Sequence, residues 1–165
     1  IFHFYLGDPV EMLQLFPDGS GDVVRLGVRL LEGERPQVVV PKGGSTDITE
    51  EMIFTFQGGW VREIRGGGKG GDRLRQLMQF DSHAEEYRLR RNLAELGVGT
   101  NPNAKSPHNL LEAEKIKGTV HVAVGDNAHM GGQISCDLHE DFVLPQPDLI
   151  LDDKLVIEAG RWVFM

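Results

Sequence analysis

Apolar and polar residues alternate in short runs over the first forty positions. "IFHFYLGD", "VEMLQLF", "DVVRLGV" and "RPQVVVP" each read as a strand, and "PDGSG" separates the second from the third. Period-two patterning broken by Gly, Pro and Asp predicts antiparallel strands joined by turns. In "EMIFTFQGGWVREIRGG", Met52, Phe54 and Phe56 share one parity, Gly58 and Gly59 supply a turn, and Trp60, Val61 and Ile64 continue. This predicts a hairpin.

The period then lengthens. Leu74, Leu77 and Met78 in "GDRLRQLMQF" recur at helical spacing, with Asp72 placed to cap the helix. A second helix is expected over "SHAEEYRLRRNLAEL", opened by Ser82 and Glu85 as a capping box, with the basic middle facing solvent. Strands return at "GTVHVAVG", "HEDFVLPQP" and "LIL", and "DDKLVIEAGRWVF" predicts a closing hairpin that turns at Glu158 to Gly160. The expected class is α+β: a mainly antiparallel or mixed sheet, partly barrel-like, with two helices near residues 72–95. The texture changes around Lys42 to Thr49, which divides the chain into a strand-rich segment, 1–43, and a mixed segment, 44–165.

Charge removes several classes of partner. The formal net charge is -8 over 165 residues. That argues against nucleic acid or an anionic membrane as the main partner. No apolar run reaches the roughly 18 residues of a membrane helix. The single cysteine, Cys136, excludes an internal disulfide framework and fits a reducing, cytoplasmic setting. The glycine-rich "GGGKGG" at 66–71 lacks a Ser or Thr after Lys69, so it reads as a turn rather than a phosphate loop.

The candidate chemistry lies between Gly118 and Leu144, with three histidines and four carboxylates. In "HED", His139 and Asp141 are two apart and share one face of a strand. Imidazole nitrogen and carboxylate oxygen suit zinc and similar divalent ions. His121 shares a strand face with Thr119 and Ala123, opposite Val120, Val122 and Val124. Glu95 in "LAELGVGTN" is expected at a helix-to-loop junction and completes two histidines and two carboxylates. Bland readings stand beside each of these. A strand His with an Asp two later is often a surface pair, His121 fits a satisfied groove histidine, and Glu95 alone has little specificity. Asp126-Asn127 fits a turn, His129 a loop, and Cys136 a small buried hydrophobe.

From about Ile53 to Val163 the chain resembles the C-terminal part of the metallo-aminopeptidases of the aminopeptidase T family. The resemblance rests on "FTFQGGWVREIRGG", "LAELGVGTNPNA", "NLLEAEKIKGTVHVAVGDNAHMGG", "SCDLHEDFVLPQPDLILDD" and "EAGRW". It implies a divalent metal centre (zinc, cobalt or manganese) ligated by Glu95, His121, His139 and Asp141, and hydrolysis of N-terminal peptide bonds. The chain departs from that family where a further glutamate ligand is expected: it reads "PKGGSTDITEE", and Glu50 and Glu51 do not align with the ligand. Where the family carries a catalytic tyrosine it reads "GDNAHM", which offers His129 as the catalytic group.

The first forty-odd residues, "FHFYLGDPVEMLQLFPDGSGDVVRLG" and "GERPQVVVPKG", are similar to a cupin-like family of unknown function, with His3 as its one match to an upstream metal-binding stretch. The chain thus resembles a join of two incomplete pieces. Three functions follow as expectations. The first is a metal-dependent aminopeptidase-like enzyme acting on peptides. The second is a non-catalytic, metal-free, β-rich module that self-associates through sheet edges. The third is a cupin-type small-molecule binder.

Overall fold

The computed structural model describes residues 10–15, 21–26, 37–43, 47–107, 109–151 and 154–163. The strand expected over 1–8, His3 and the turn at "PDGSG" fall wholly or mostly outside these residues. In chain order the elements are β1 (Val10–Leu15), β2 (Gly21–Leu26), β3 (Gln37–Val40), β4 (Met52–Gln57), β5 (Trp60–Gly66), α1 (Gly68–Met78), α2 (Glu85–Leu89), β6 (Leu93–Val98), α3 (Leu110–Ala113), β7 (Val120–Gly125), β8 (His139–Leu144), β9 (Leu149–Leu151), β10 (Lys154–Glu158) and β11 (Arg161–Trp162).

These strands form three sheets, ordered β11-β10-β9-β1-β2, β3-β4-β5 and β6-β7-β8. Every pairing of named strands is antiparallel. Each sheet ends in two edge strands, so none closes on itself, and the barrel-like expectation is overturned. Among the described residues no sheet brings its first strand back against its last, which closure demands.

The hairpin β4–β5 follows the alternation. Met52, Phe54 and Phe56 are buried, and Gly58 (φ 62) and Gly59 (φ 79) make the left-handed two-residue turn that matches strand twist. These side chains share one apolar core with Val38 and Val40, Leu74 and Met78, and the valines of β7. The rings of Phe54 and Phe142 lie 5.0 Å apart and join the sheet β3-β4-β5 to the sheet β6-β7-β8.

The helices depart from expectation at their ends. α1 begins inside the glycine cluster rather than at Asp72, with Gly67 as its N-cap in the left-handed region (φ 84). A Cβ on Gly67 would lie 2.7 Å from Met52 Sδ and 2.9 Å from Gly71 Cα. The glycine run is therefore required by close packing of the helix start on β4, and the Gly68 amide is capped by the Glu50 carboxylate at 3.1 Å. The second helix spans only Glu85–Leu89, with Ala84 at its N-cap and no side-chain capping box.

It stops because the arginines expected on a solvent face turn back to α1. Arg91 donates to the carbonyls of Met78 (2.9 Å), Gln79 and Ser82, and Arg90 Nη1 donates to Leu77 O at 3.0 Å. Those of Leu77 and Met78 are among the acceptors a helix C-terminus leaves unpaired. The chain then bridges Asn92 to Trp60 and enters β6, so "LAEL" is strand rather than helix. Replacing Phe54 with alanine removes the ring that joins β4 to β8. It is expected to lower unfolding free energy by about 3–5 kcal/mol, read from urea denaturation.

Candidate metal centre

The site is built on the sheet β6-β7-β8, and strand alternation decides which residues reach it. Val120, Val122 and Val124 of β7 enter the core with Phe142 and Leu144 of β8 and Val98 of β6. The intervening positions therefore face the other way. In register they form rows: Gly97, His121 and Val143; Glu95, Ala123 and Asp141; Gly125 and His139. A register shift between Leu93 and Glu95 sets Glu95 opposite Ala123. Ala123, the smallest side chain in its row, lies fully buried between the two carboxylates.

Glu95, His139 and Asp141 each offer a ligand atom within 4.8 Å of the others. His139 Nε2 lies 3.7 Å from Glu95 Oε2 and 3.5 Å from Asp141 Oδ2. Its other nitrogen, Nδ1, donates to the backbone carbonyl of Asp126 at 2.6 Å. A carbonyl only accepts, so the proton resides on Nδ1 and Nε2 is left to face the carboxylates. His121 stands outside the trio. Its Nε2 is 3.1 Å from Glu95 Oε1, and its buried Nδ1 has no hydrogen-bond partner among the described residues. The side chains of His121 and Glu95 are only 4 % and 9 % exposed. Gly97 makes this contact possible, because a Cβ there would meet His121 Nε2 at 2.0 Å.

Beside the trio, Asp126 opens a tied loop. Its amide donates to Leu138 O at 2.6 Å, and its carboxylate accepts from the Cys136 amide at 3.2 Å and pairs with His129 Nδ1 at 2.8 Å. Asn127 Oδ1 accepts from the Ile134 amide at 2.9 Å. His129 sits on a single 3-10 turn, Ala128–Met130, with its side chain 55 % exposed and its ring edge-on to His139, centroids 4.7 Å apart. Its Nε2 is the end turned away from the Asp126 contact.

Charge follows this geometry. The hydrogen bond to Asp141 is the main cause that pushes His139 up to about 9, against burial, with the Asp126 carbonyl and the Glu95 charge adding to it. The His129 contact holds the Asp126 carboxyl below its ordinary value. Burial pushes the half-buried Cys136 thiol up, which disfavours its thiolate.

Of the residues singled out in the sequence, Glu95, His139 and Asp141 come together, His121 backs Glu95, and His129 flanks His139. Glu95 does so from a strand, not from a helix end. Asp126 was missed as part of the site. The dipeptide Asp126-Asn127 announces the turn, but a backbone carbonyl aimed at an imidazole leaves no mark in a sequence. An N/O donor set of one imidazole and two carboxylates, with one tautomer fixed from outside, fits a divalent cation.

Residues 43–164 match the family described as 2,5-dihydroxypyridine 5,6-dioxygenase (NicX), and residues 1–61 match the Cupin superfamily (DUF985). The 2,5-dihydroxypyridine 5,6-dioxygenase of Pseudomonas putida KT2440 is 26% identical over 120 residues, covering 67% of this chain and 33% of that protein. A solved structure of 2,5-dihydroxypyridine dioxygenase from the same organism superposes with a TM-score of 0.64 at 21% identity, covering 88% of this chain and 44% of the other, a likeness of fold. The chain thus spans a third to a half of the length of these relatives.

These matches overturn the aminopeptidase reading, and with it the hydrolase activity and the peptide substrate. The reason is physical. Glu, His and "HxD" on adjacent strands report donors for a cation, and the same donors serve hydrolytic and oxidative chemistry alike. The cupin likeness of the N-terminal segment stands. No helix among the described residues is long and apolar enough to cross a membrane.

In the metal-free protein His139 holds its proton more tightly when folded than when unfolded. Its contribution to stability is therefore complete below about pH 6.5, the ordinary histidine value, and is lost as pH rises through about 9. Urea midpoints across that window are expected to fall for the wild type. Asp141→Asn, which removes the main cause of the shift, is expected to flatten the fall.

Proposed function

The chain belongs to the 2,5-dihydroxypyridine 5,6-dioxygenase family, and on that premise we propose that it carries the metal-binding part of an oxygenase acting on a small dihydroxylated aromatic heterocycle. The observation behind this reading is the convergence of Glu95, His139 and Asp141, within the matched segment, on one cation-sized space.

These three side chains would hold the ion, with His121 fixing the Glu95 carboxylate from behind through Nε2. Ferrous iron suits the reading better than zinc, which has no accessible redox change; cobalt and manganese satisfy the same donors. When bound, such an ion supplies the one-electron chemistry that dioxygen requires. The chain's own groups do the rest. Ala123 leaves room between the carboxylates. Nδ1 of His139 keeps its proton and donates it to the Asp126 carbonyl, so Nε2 is the nitrogen that would give up its proton to hold the ion. His129, oriented by Asp126 through Nδ1, would accept at Nε2 the proton that a substrate hydroxyl gives up on binding. We further read 1–43 as a segment of cupin ancestry joined to the metal-binding segment 44–165, with β1 paired to β9 across the join.

The test is direct. The full chain, loaded anaerobically with iron(II), is mixed with 2,5-dihydroxypyridine in an oxygen electrode. Oxygen uptake that needs both iron and substrate is expected, lost in His139→Ala and Asp141→Ala and lowered about 10²-fold or more in His129→Ala. Uptake no greater than that of iron in buffer would overturn the proposal.

A further inference from the structure

The strand that carries two of the three metal-facing side chains is gripped from behind. His139 and Asp141 share one face of β8, so Glu140 between them points to the other. There it pairs with Arg73 of α1. Two residues before His139, Asp137 makes a bidentate pair with Arg90, Nε to Oδ1 at 2.8 Å and Nη2 to Oδ2 at 2.7 Å. The Arg90 side chain is 14 % exposed, and its remaining terminal nitrogen donates to the Leu77 carbonyl at 3.0 Å. Arg73 and Leu77 lie one turn apart on α1. Both grips on the approach to β8 therefore start from a single helix.

We infer that Arg73 and Arg90 are positioning residues of the metal centre, which hold β8 by Glu140 and Asp137 so that His139 and Asp141 keep their register toward Glu95. The inference rests on the reading of Glu95, His139 and Asp141 as metal ligands.

Stability alone does not account for the arrangement. Partly buried ion pairs are seldom better for stability than apolar side chains of the same size. Arg73 also keeps its Nε buried without a hydrogen-bond partner, with only the Asp47 carboxylate 3.8 Å away. What the pairs do supply is selection of one arrangement. A slip of β8 by one residue would turn Glu140 onto the site face and both ligands toward the core. It would also break the Arg73 contact and draw Asp137 away from a guanidinium already fixed to α1. Arg73 meets Glu140 through one terminal nitrogen, whereas Arg90 uses two. Lysine can therefore stand in for Arg73 but not for Arg90.

The test uses cobalt(II) as probe, titrated into the full chain and followed by its visible absorption band, at a temperature where circular dichroism shows each variant folded. The variants are Arg73→Gln, Arg90→Gln, the double variant, Arg73→Lys and Glu140→Gln, with Ile157→Ala, a buried core position on β10, as a reference of lowered stability. The double variant is expected to bind cobalt about tenfold more weakly or worse, with an altered band. Ile157→Ala and Arg73→Lys are expected to retain the wild-type affinity and spectrum. Should Arg90→Gln fail to fold, Arg73→Gln and Glu140→Gln carry the same comparison. Folded glutamine variants that bind cobalt as the wild type does, with the same band, would overturn the inference and leave the metal centre standing. A wild type that binds no cobalt would overturn the metal centre, and the inference with it.

Discussion

The packing of one strand against the core governs everything at the site. β7 has only two faces, and the valines at 120, 122 and 124 claim one of them for the interior. Residues 121, 123 and 125 are thereby committed to the other face, and hydrogen-bonded register carries the same commitment to β6 and β8. Glu95 and Asp141 are neighbours because each is paired to Ala123. A shift of register by a single position would bury the carboxylates among valines, at a cost no ordinary domain sustains. The apolar core thus arranges the polar site without touching it.

Much of this was legible in the chain, and for the same reason. The alternation in "GTVHVAVG" gave the face of His121, and the two-residue spacing in "HED" gave the shared face of His139 and Asp141. The hairpin about Gly58 and Gly59 was readable because turn chemistry and strand parity agree there. What local pattern could not convey was the fate of residues whose partners are remote. Arg90 and Arg91 look like the solvent face of a helix until the carbonyls of α1 are in place to receive them. Once they turn back, "LAEL" is free to become a strand, and Glu95 moves from a helix end to the floor of the site. Intrinsic preference is weak enough for tertiary contacts to reverse it.

The chemistry was legible at one level and misleading at the next. Donor types and spacing pointed to a divalent cation, and Glu95, His139 and Asp141 do converge. The reaction was misassigned because ligands describe what an ion accepts, not what it does to a bound molecule. Family membership over residues 43–164 resolves that ambiguity in favour of a dioxygenase lineage. The contact of the Asp126 main-chain carbonyl with His139 was beyond any side-chain reading.

Ala123 has a consequence of its own. It is wholly enclosed, and in the row that joins Glu95 to Asp141 its methyl group is the side chain that lies between them. Added branching there would crowd the space between the two carboxylates while every ligand residue remained in the sequence. A lineage could therefore lose its cation through one silent-looking exchange of alanine for valine, and an inventory of ligands would never register the loss.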